Sequence, residues 1–453
     1  MFSSSAATSL RSFQPTNSRL LRIRCPIVLS GQVKQQSDTD YSSASGTLTF
    51  TRTYRSDTRG WAHNYQAFAV DFNQPNLDAK PDNACVKMVG QGTEKVACPR
   101  MAGRRLANDV GVRRGNGRLK YFGSNSDLLP ATDINDRVTP ILDSAGKKTG
   151  WTVTNAQAQT VETYDLTGRL QKTKALNGQI LSFAYSDAST PARIAAKPGL
   201  LTRVTDHFGR KLNFTYDAKG RMATMQDPAG QQYLYSYDDF DNLTKVTYPD
   251  GKFKTYVYNE PELTSGTDLP FALTGIIDEN NVRFASFGYD ALGKAVSTEH
   301  AGGVNRHVVT STDPNTIIDT DALGAERSYL FSSELGARRA SGMIQQAPGW
   351  PYQSTASSSV SYDSNGNVAM TGDLDARMIT YEYDLTRNLE NGAHGGSVDA
   401  AEQENQHQLA SHIPFASEDR RTSAFDHLRV LRQRHLVEAH DPGNRGYQWF
   451  TGS

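Results

Sequence analysis

Along the middle of the chain, apolar and polar residues alternate with period two. Leu181, Phe183 and Tyr185, then Leu212, Phe214 and Tyr216, Tyr233, Tyr235 and Tyr237, Ala285, Phe287 and Tyr289, and Ile379, Tyr381 and Tyr383 form apolar sets, with Ser182, Asn213, Thr215, Ser236, Thr380 and Glu382 between them. Period two puts alternate side chains on opposite faces of a strand. Each segment therefore predicts a β-strand with an aromatic dry face and a polar wet face, the pattern of an antiparallel sheet exposed on one side.

Most of these strands end in the same two letters. Tyr164-Asp165, Tyr216-Asp217, Tyr237-Asp238, Tyr289-Asp290, Tyr362-Asp363 and Tyr383-Asp384, with the variants Tyr185-Ser186 and Tyr258-Asn259, follow one another at steps of which four are 21 residues and two are 31. A glycine follows in most, as Gly168, Gly220, Gly293 and Gly366, and half a period later comes a second turn such as Asp206-His207-Phe208-Gly209 or Asp321-Ala322-Leu323-Gly324. Aspartate accepts hydrogen bonds from N–H groups two or three residues on, and glycine supplies the positive φ of a short hairpin loop. Each period thus predicts strand, turn, strand, turn. A lone hairpin is marginal in water, so the pattern predicts an all-β fold in which repeated β-hairpins support one another in one extended sheet.

Composition narrows the function classes. Lys+Arg and Asp+Glu both total 48, so no global field draws the chain to nucleic acid, and no nucleic-acid partner is expected. No apolar run reaches the roughly 18 residues of a membrane-spanning helix, so no transmembrane segment is expected. The Ser-rich first 24 residues contain no apolar stretch of secretory-signal length. Cys85 and Cys98 bound a short segment containing Gly90 and Gly92 and are a candidate disulfide, weighed against two free thiols; Cys25 has no evident mate. No metal-ligand spacing, phosphate loop, nucleophile elbow or paired carboxylate stands out, so no cofactor, metal or catalytic residue is assigned and the chain is not read as an enzyme.

The turns Tyr164-Asp165-Leu166-Thr167-Gly168-Arg169-Leu170, Tyr216-Asp217-Ala218-Lys219-Gly220-Arg221-Met222 and Tyr362-Asp363-Ser364-Asn365-Gly366-Asn367-Val368 resemble the YD repeats of RHS proteins, the family that includes insecticidal toxin shells, polymorphic toxins and the teneurins. The resemblance covers residues 161 to about 388. It implies a partial shell built from a curved or spiral sheet, enclosing a polypeptide cargo or joining other RHS segments, in a secreted or cell-surface setting, and a truncated fragment of a longer shell.

The resulting organisation is a disordered segment over 1–24, a β-rich pre-repeat domain over 25–160, repeats over 161–330, a loop or insertion over 331–359, repeats over 360–388 and an atypical tail over 389–453. Trp61, His63 and Tyr65 suggest either aromatic packing, the favoured reading, or a strand that binds glycans. The tail gathers six of the ten histidines, at 394, 407, 412, 427, 435 and 440. Three readings stand for it: an effector domain using His427, His435, Glu438 and His440 with Arg432 and Arg434, an amphipathic helix near 424–438, or, the favoured one, a shifted reading frame or truncated gene whose last 60 or so residues were never selected to fold.

Overall fold

The computed structural model describes residues 27–71, 87–89, 92–94, 110–114, 119–122, 135–334, 337–346, 355–375, 377–386 and 389–395. Apart from three single-turn 3-10 segments, every regular element among them is a β-strand. Twenty-two strands, from Arg137–Leu142 to Leu389–Gly395, form one sheet in which each strand is bonded to its neighbours in sequence. The pairs are antiparallel, as in Asn213↔Gln226 to Tyr216↔Met222 and Leu234↔Thr247 to Tyr237↔Leu243. This is the hairpin sheet that period-two alternation demands. Cys25, Cys85 and Cys98, the segment 1–24 and the tail beyond 395 lie outside the described residues.

A second sheet of four strands, Ile27–Val28, Val33–Ser42, Thr49–Arg55 and Gly60–His63, packs on the dry face of the first. Its third strand is strictly alternating, with Phe50, Arg52 and Tyr54 all buried. One core joins the two sheets: Phe50 meets Phe214 tilted at 5.4 Å between ring centroids, and Trp61 meets Tyr256 at 4.7 Å and Tyr65 meets Phe183 at 5.7 Å edge to face. Because each hairpin buries only one face, covering that face with a second layer removes a broad aromatic surface from water, at about 25 cal/mol per Å² of apolar area.

Three expected boundaries move. The large sheet begins at Arg137 rather than 161, because the hairpin Arg137–Leu142/Lys148–Asn155 already carries the repeat's turn: Asp143 Oδ1 accepts the N–H groups of Ala145 and Lys147. It also continues past 388, through the strand Leu389–Gly395.

The stretch 331–359, expected as a loop or insertion, instead contains most of the strand Ala337–Gln346 hairpin, closed by Glu326–Glu334 before it and Thr355–Tyr362 after it. The reason is a degenerate repeat. Phe331 stands where the tyrosine of other repeats stands, buried beside the same register shift and opposite Ala340, and the missing Tyr-Asp hides the pattern from the sequence.

The two 31-residue steps have a physical reason too. Their extra residues form the loops 186–199 and 259–272, which brace neighbouring repeats: the Ile194 carbonyl accepts the Tyr216 N–H of the following repeat, and the Pro270 carbonyl accepts from Asn242 Nδ2 of the preceding one.

The strand Phe68–Asp71 ties the pre-repeat region to the first Tyr-Asp turn. The Ala69 N–H donates to the Gly168 carbonyl at 2.9 Å, and Phe68 bridges to Arg169. Gly168 has φ +81°, and a Cβ there would sit 1.8 Å from the Ala69 carbonyl oxygen, whereas Gly209, at φ +79°, faces open space. Gly209→Ala is expected to cost about 1–2 kcal/mol from the left-handed backbone alone. Gly168→Ala is expected to cost roughly 2 kcal/mol more, because backbone has to move. Urea unfolding of the two variants side by side measures that difference.

Candidate functional site

The repeat residues form a chain of identical joints. In the Tyr-Asp turns the aspartate caps its own loop, taking N–H groups two and four residues on, a step farther than the expected three. Asp165 Oδ1 accepts from Thr167 and Arg169, Asp238 from Phe240 and Asn242, Asp290 from Leu292 and Lys294, and Asp363 from Asn365 and Asn367. Asp217 accepts from Arg221, and Asp384 from Thr386. Gly168, Gly220, Gly293 and Gly366 all have positive φ; in the turn of Asp238 that place is held by Asp241, at φ 66°.

Five of the tyrosines each sit at a register shift and pair with the first residue of the following strand: Tyr164 with Leu170, Tyr185 with Leu201, Tyr216 with Met222, Tyr237 with Leu243 and Tyr258 with Leu273. The carbonyl of that residue then receives the hydroxyl of the next tyrosine. Tyr185 donates to Leu170 at 2.8 Å, Tyr216 to Leu201 at 2.7 Å, Tyr237 to Met222 at 2.9 Å, Tyr258 to Leu243 at 2.8 Å and Tyr289 to Leu273 at 2.8 Å. Tyr362 donates to Ala340, the partner of Phe331, at 2.7 Å, so the joint survives where the tyrosine before it is lost.

Burial holds all these phenols above their ordinary titration range. The arginine of the Gly-Arg step completes the unit: Arg221 Nε bonds Asp217 at 2.7 Å while its guanidinium lies 4.8 Å from the Tyr237 ring centroid.

Tyr164, the first of the series, has no preceding joint. Its hydroxyl donates to Glu162 at 2.9 Å, and Glu162 is gripped by Arg114 through two bonds of 2.9 and 2.8 Å. Tyr383 closes the tyrosine series at the other end, its phenol raised to about 12 by burial and by Glu390.

Where the four-stranded sheet meets the repeats, a buried polar cluster replaces hydrocarbon. Arg52 holds Asp40 through two bonds of 2.6 and 2.8 Å and donates to the Tyr256 hydroxyl at 3.0 Å. Asp40 also accepts from Tyr235 at 2.9 Å, and Tyr256 donates to Asp38. The side chains of Arg52 and Asp40 are 5% and 0% exposed, so this ion pair relies on its hydrogen bonds to offset desolvation. Burial works against ionisation of Asp38, but the charges of Arg52 and Lys254 and the Tyr256 hydroxyl outweigh it and hold its carboxyl below the usual range.

Trp61 donates to the Tyr258 hydroxyl at 2.9 Å, and Tyr54 donates to the Phe271 carbonyl at 2.8 Å. With Trp61, His63 and Tyr65 packed on Tyr256, Phe50 and Phe183, the strand weighed for glycans faces protein. Sequence reasoning missed Asp38, Asp40 and Arg52. Their signal was present: two aspartates two apart on one strand, and an arginine at an apolar register of the next.

Among the described residues, no group of three His, Cys, Asp or Glu side chains is placed to share a cation, and no helix is long and apolar enough to cross a membrane. The arrangement is one of interlocking surfaces.

Residues 123–264 match the family model described as "Teneurin YD-shell". Solved structures resembling the chain include the TcdB2-TccC3-TEV crystal structure, 12% identical with a TM-score of 0.33, covering 68% of this chain and 20% of that one. They also include TcdB2-TccC3, 12% identical with a TM-score of 0.24 over 81% and 26%, and the Photorhabdus luminescens Tc holotoxin pore, 12% identical with a TM-score of 0.24 over 65% and 21%. The present chain thus spans about a fifth to a quarter of the length of those chains. No curated protein sequence matches it.

Two outcomes are expected. Arg52→Met leaves Asp40 buried without its cation and should cost about 3–5 kcal/mol in urea unfolding, whereas Arg52→Met combined with Asp40→Asn should cost less than the single change. The second concerns His63, whose imidazole is lowered from 6.5 to about 4 by burial. The unfolded chain then binds more protons across that window, so stability falls as pH drops from about 6.5 to about 4, with Asp38 adding its loss at lower pH. His63→Gln should flatten that slope by up to about 3 kcal/mol, read from urea midpoints at each pH.

Proposed function

We propose that this RHS/YD-repeat chain, whose residues 123–264 are a YD-shell segment, is a non-enzymatic scaffold that encloses or holds a polypeptide. The observation carrying this reading is the joint itself. From Tyr185 to Tyr289 the tyrosine hydroxyls bind main-chain carbonyls, and the aspartates and glycines of the turns cap and close them, so the recurring residues of the repeat serve its structure. A repeat sheet whose stability comes from neighbour-to-neighbour terms suits an extended wall.

The finer reading is a part of a bacterial polymorphic-toxin or cell-surface system, working outside the cytoplasm, with an unfolded polypeptide as cargo. Family resemblance supports it, and fold resemblance is an analogy about function.

Protease protection tests the reading. A permanently unfolded probe, reduced and carboxymethylated ribonuclease, is digested with trypsin alone and with an excess of the purified chain. Slower digestion of the probe, with no slowing for a small chromogenic trypsin substrate, is expected. Equal digestion of the probe with and without the chain would remove the scaffold reading.

A further inference from the structure

The seven consecutive strands from Leu170–Ala175 to Leu243–Thr247 carry five basic residues and one carboxylate, Asp206. Register places all five cations on one face. Lys172 pairs with Thr163 and Ser182, Lys174 with Val161 and Ile180, Arg203 with Ala184 and Asn213, Lys211 with Thr205, and Lys245 with Ser236 and Thr255. This is the wet face, opposite Phe183, Val204, Leu212 and Phe214. Asp206 turns the other way, its side chain fully buried, and binds Arg210 at 2.6 Å.

The contrast with other basic residues is chemical. Arg52, Arg114, Arg221 and Arg283 each meet a carboxylate at 2.6–2.8 Å. Among the described residues, none of the five wet-face cations has a carboxylate within ion-pair distance; Arg203 donates to Asn213 at 3.0 Å, and Lys245 lies 4.2 Å from the Phe253 ring centroid. At about 4.8 Å per strand step, the seven strands put this uncompensated charge across roughly 30 Å. A chain of zero net charge concentrates here a positive potential that repels itself unless an anionic surface answers it.

We propose that this face docks the acidic surface of a partner protein. Ser182, Asn213, Thr215, Thr224 and Gln226 stand between the cations, offering hydrogen bonds to carboxylates and amides. A membrane-binding face would set apolar anchors, and a single-strand nucleic-acid face stacking rings, beside each basic residue; here the exposed apolar side chains at that register are Leu234 and, on the strand that follows these seven, Phe253, set among polar neighbours. The surface is distinct from the dry face that carries the four-stranded sheet, and the proposal goes beyond the scaffold reading without depending on what the shell encloses.

The full chain is titrated with poly-L-glutamate, with phosphatidylserine vesicles and with single-stranded DNA. Poly-L-glutamate is expected to bind, with affinity falling roughly tenfold or more between about 0.05 M and about 0.3 M salt. A variant with Lys172→Glu, Lys174→Glu, Arg203→Glu, Lys211→Glu and Lys245→Glu should lose binding while keeping the wild-type circular dichroism; if it does not fold, Lys172→Glu with Lys211→Glu takes its place. Lys147→Glu, Lys252→Glu and Lys294→Glu together, at exposed turns, should retain binding. The proposal is overturned if poly-L-glutamate does not bind, if the wet-face variant binds as wild type does, or if vesicles or DNA bind more tightly than poly-L-glutamate.

Discussion

The bond from a buried tyrosine hydroxyl to a main-chain carbonyl one repeat earlier is the constraint on which this structure rests. A hairpin's ladder bonds fix only its immediate neighbours. The tyrosine reaches farther: Tyr237 is paired in register with Leu243 while its hydroxyl holds Met222, and Leu243 in turn receives Tyr258. From Tyr185 to Tyr289 each repeat is therefore held at both ends of its period. Loss of one hydroxyl leaves a buried carbonyl without its donor, which costs more than the modest net value of an ordinary hydrogen bond. At Phe331, where the hydroxyl is lost, the next tyrosine, Tyr362, still binds the carbonyl of its partner Ala340.

The same joint explains the asymmetry of the sheet's faces. Tyrosine and the apolar residues at the same alternation must turn inward to reach one another, so the dry face is aromatic and accepts the four-stranded layer. That layer is matched by more than hydrocarbon. Arg52, Asp38 and Asp40 bring charge into the contact, and Tyr235 and Tyr256 of the repeats satisfy it, which ties the two sheets to one relative register. The wet face has no such partner within the described residues, and across the seven strands from Leu170–Ala175 to Leu243–Thr247 its charge is one-sided.

Local rules were legible in the sequence, and register was not. Asp165 and Gly168 could be read as a turn because an aspartate cap and a positive φ are decided within five residues. The alternation of Leu212, Phe214 and Tyr216 likewise gave the strand and its buried face. What Tyr216 bonds to depends on a register shift and on a carbonyl 15 residues back, which no composition or period contains. The Phe331 repeat was hidden by one substitution and by strands longer than its neighbours'. Asp38, Asp40 and Arg52 were visible as residues, but their meaning required Tyr235 and Tyr256, about 200 residues away in the chain.

The most direct measurement of the tyrosine joint is native-state hydrogen exchange on Tyr216→Phe and Tyr237→Phe, each compared with wild type and with Tyr381→Phe, whose tyrosine lies outside the series. Each of the first two should lose about 1–2 kcal/mol, with protection falling in the mutated repeat and in the repeat before it, where Leu201 or Met222 loses its donor. Stability and protection no different from those of Tyr381→Phe would contradict the account.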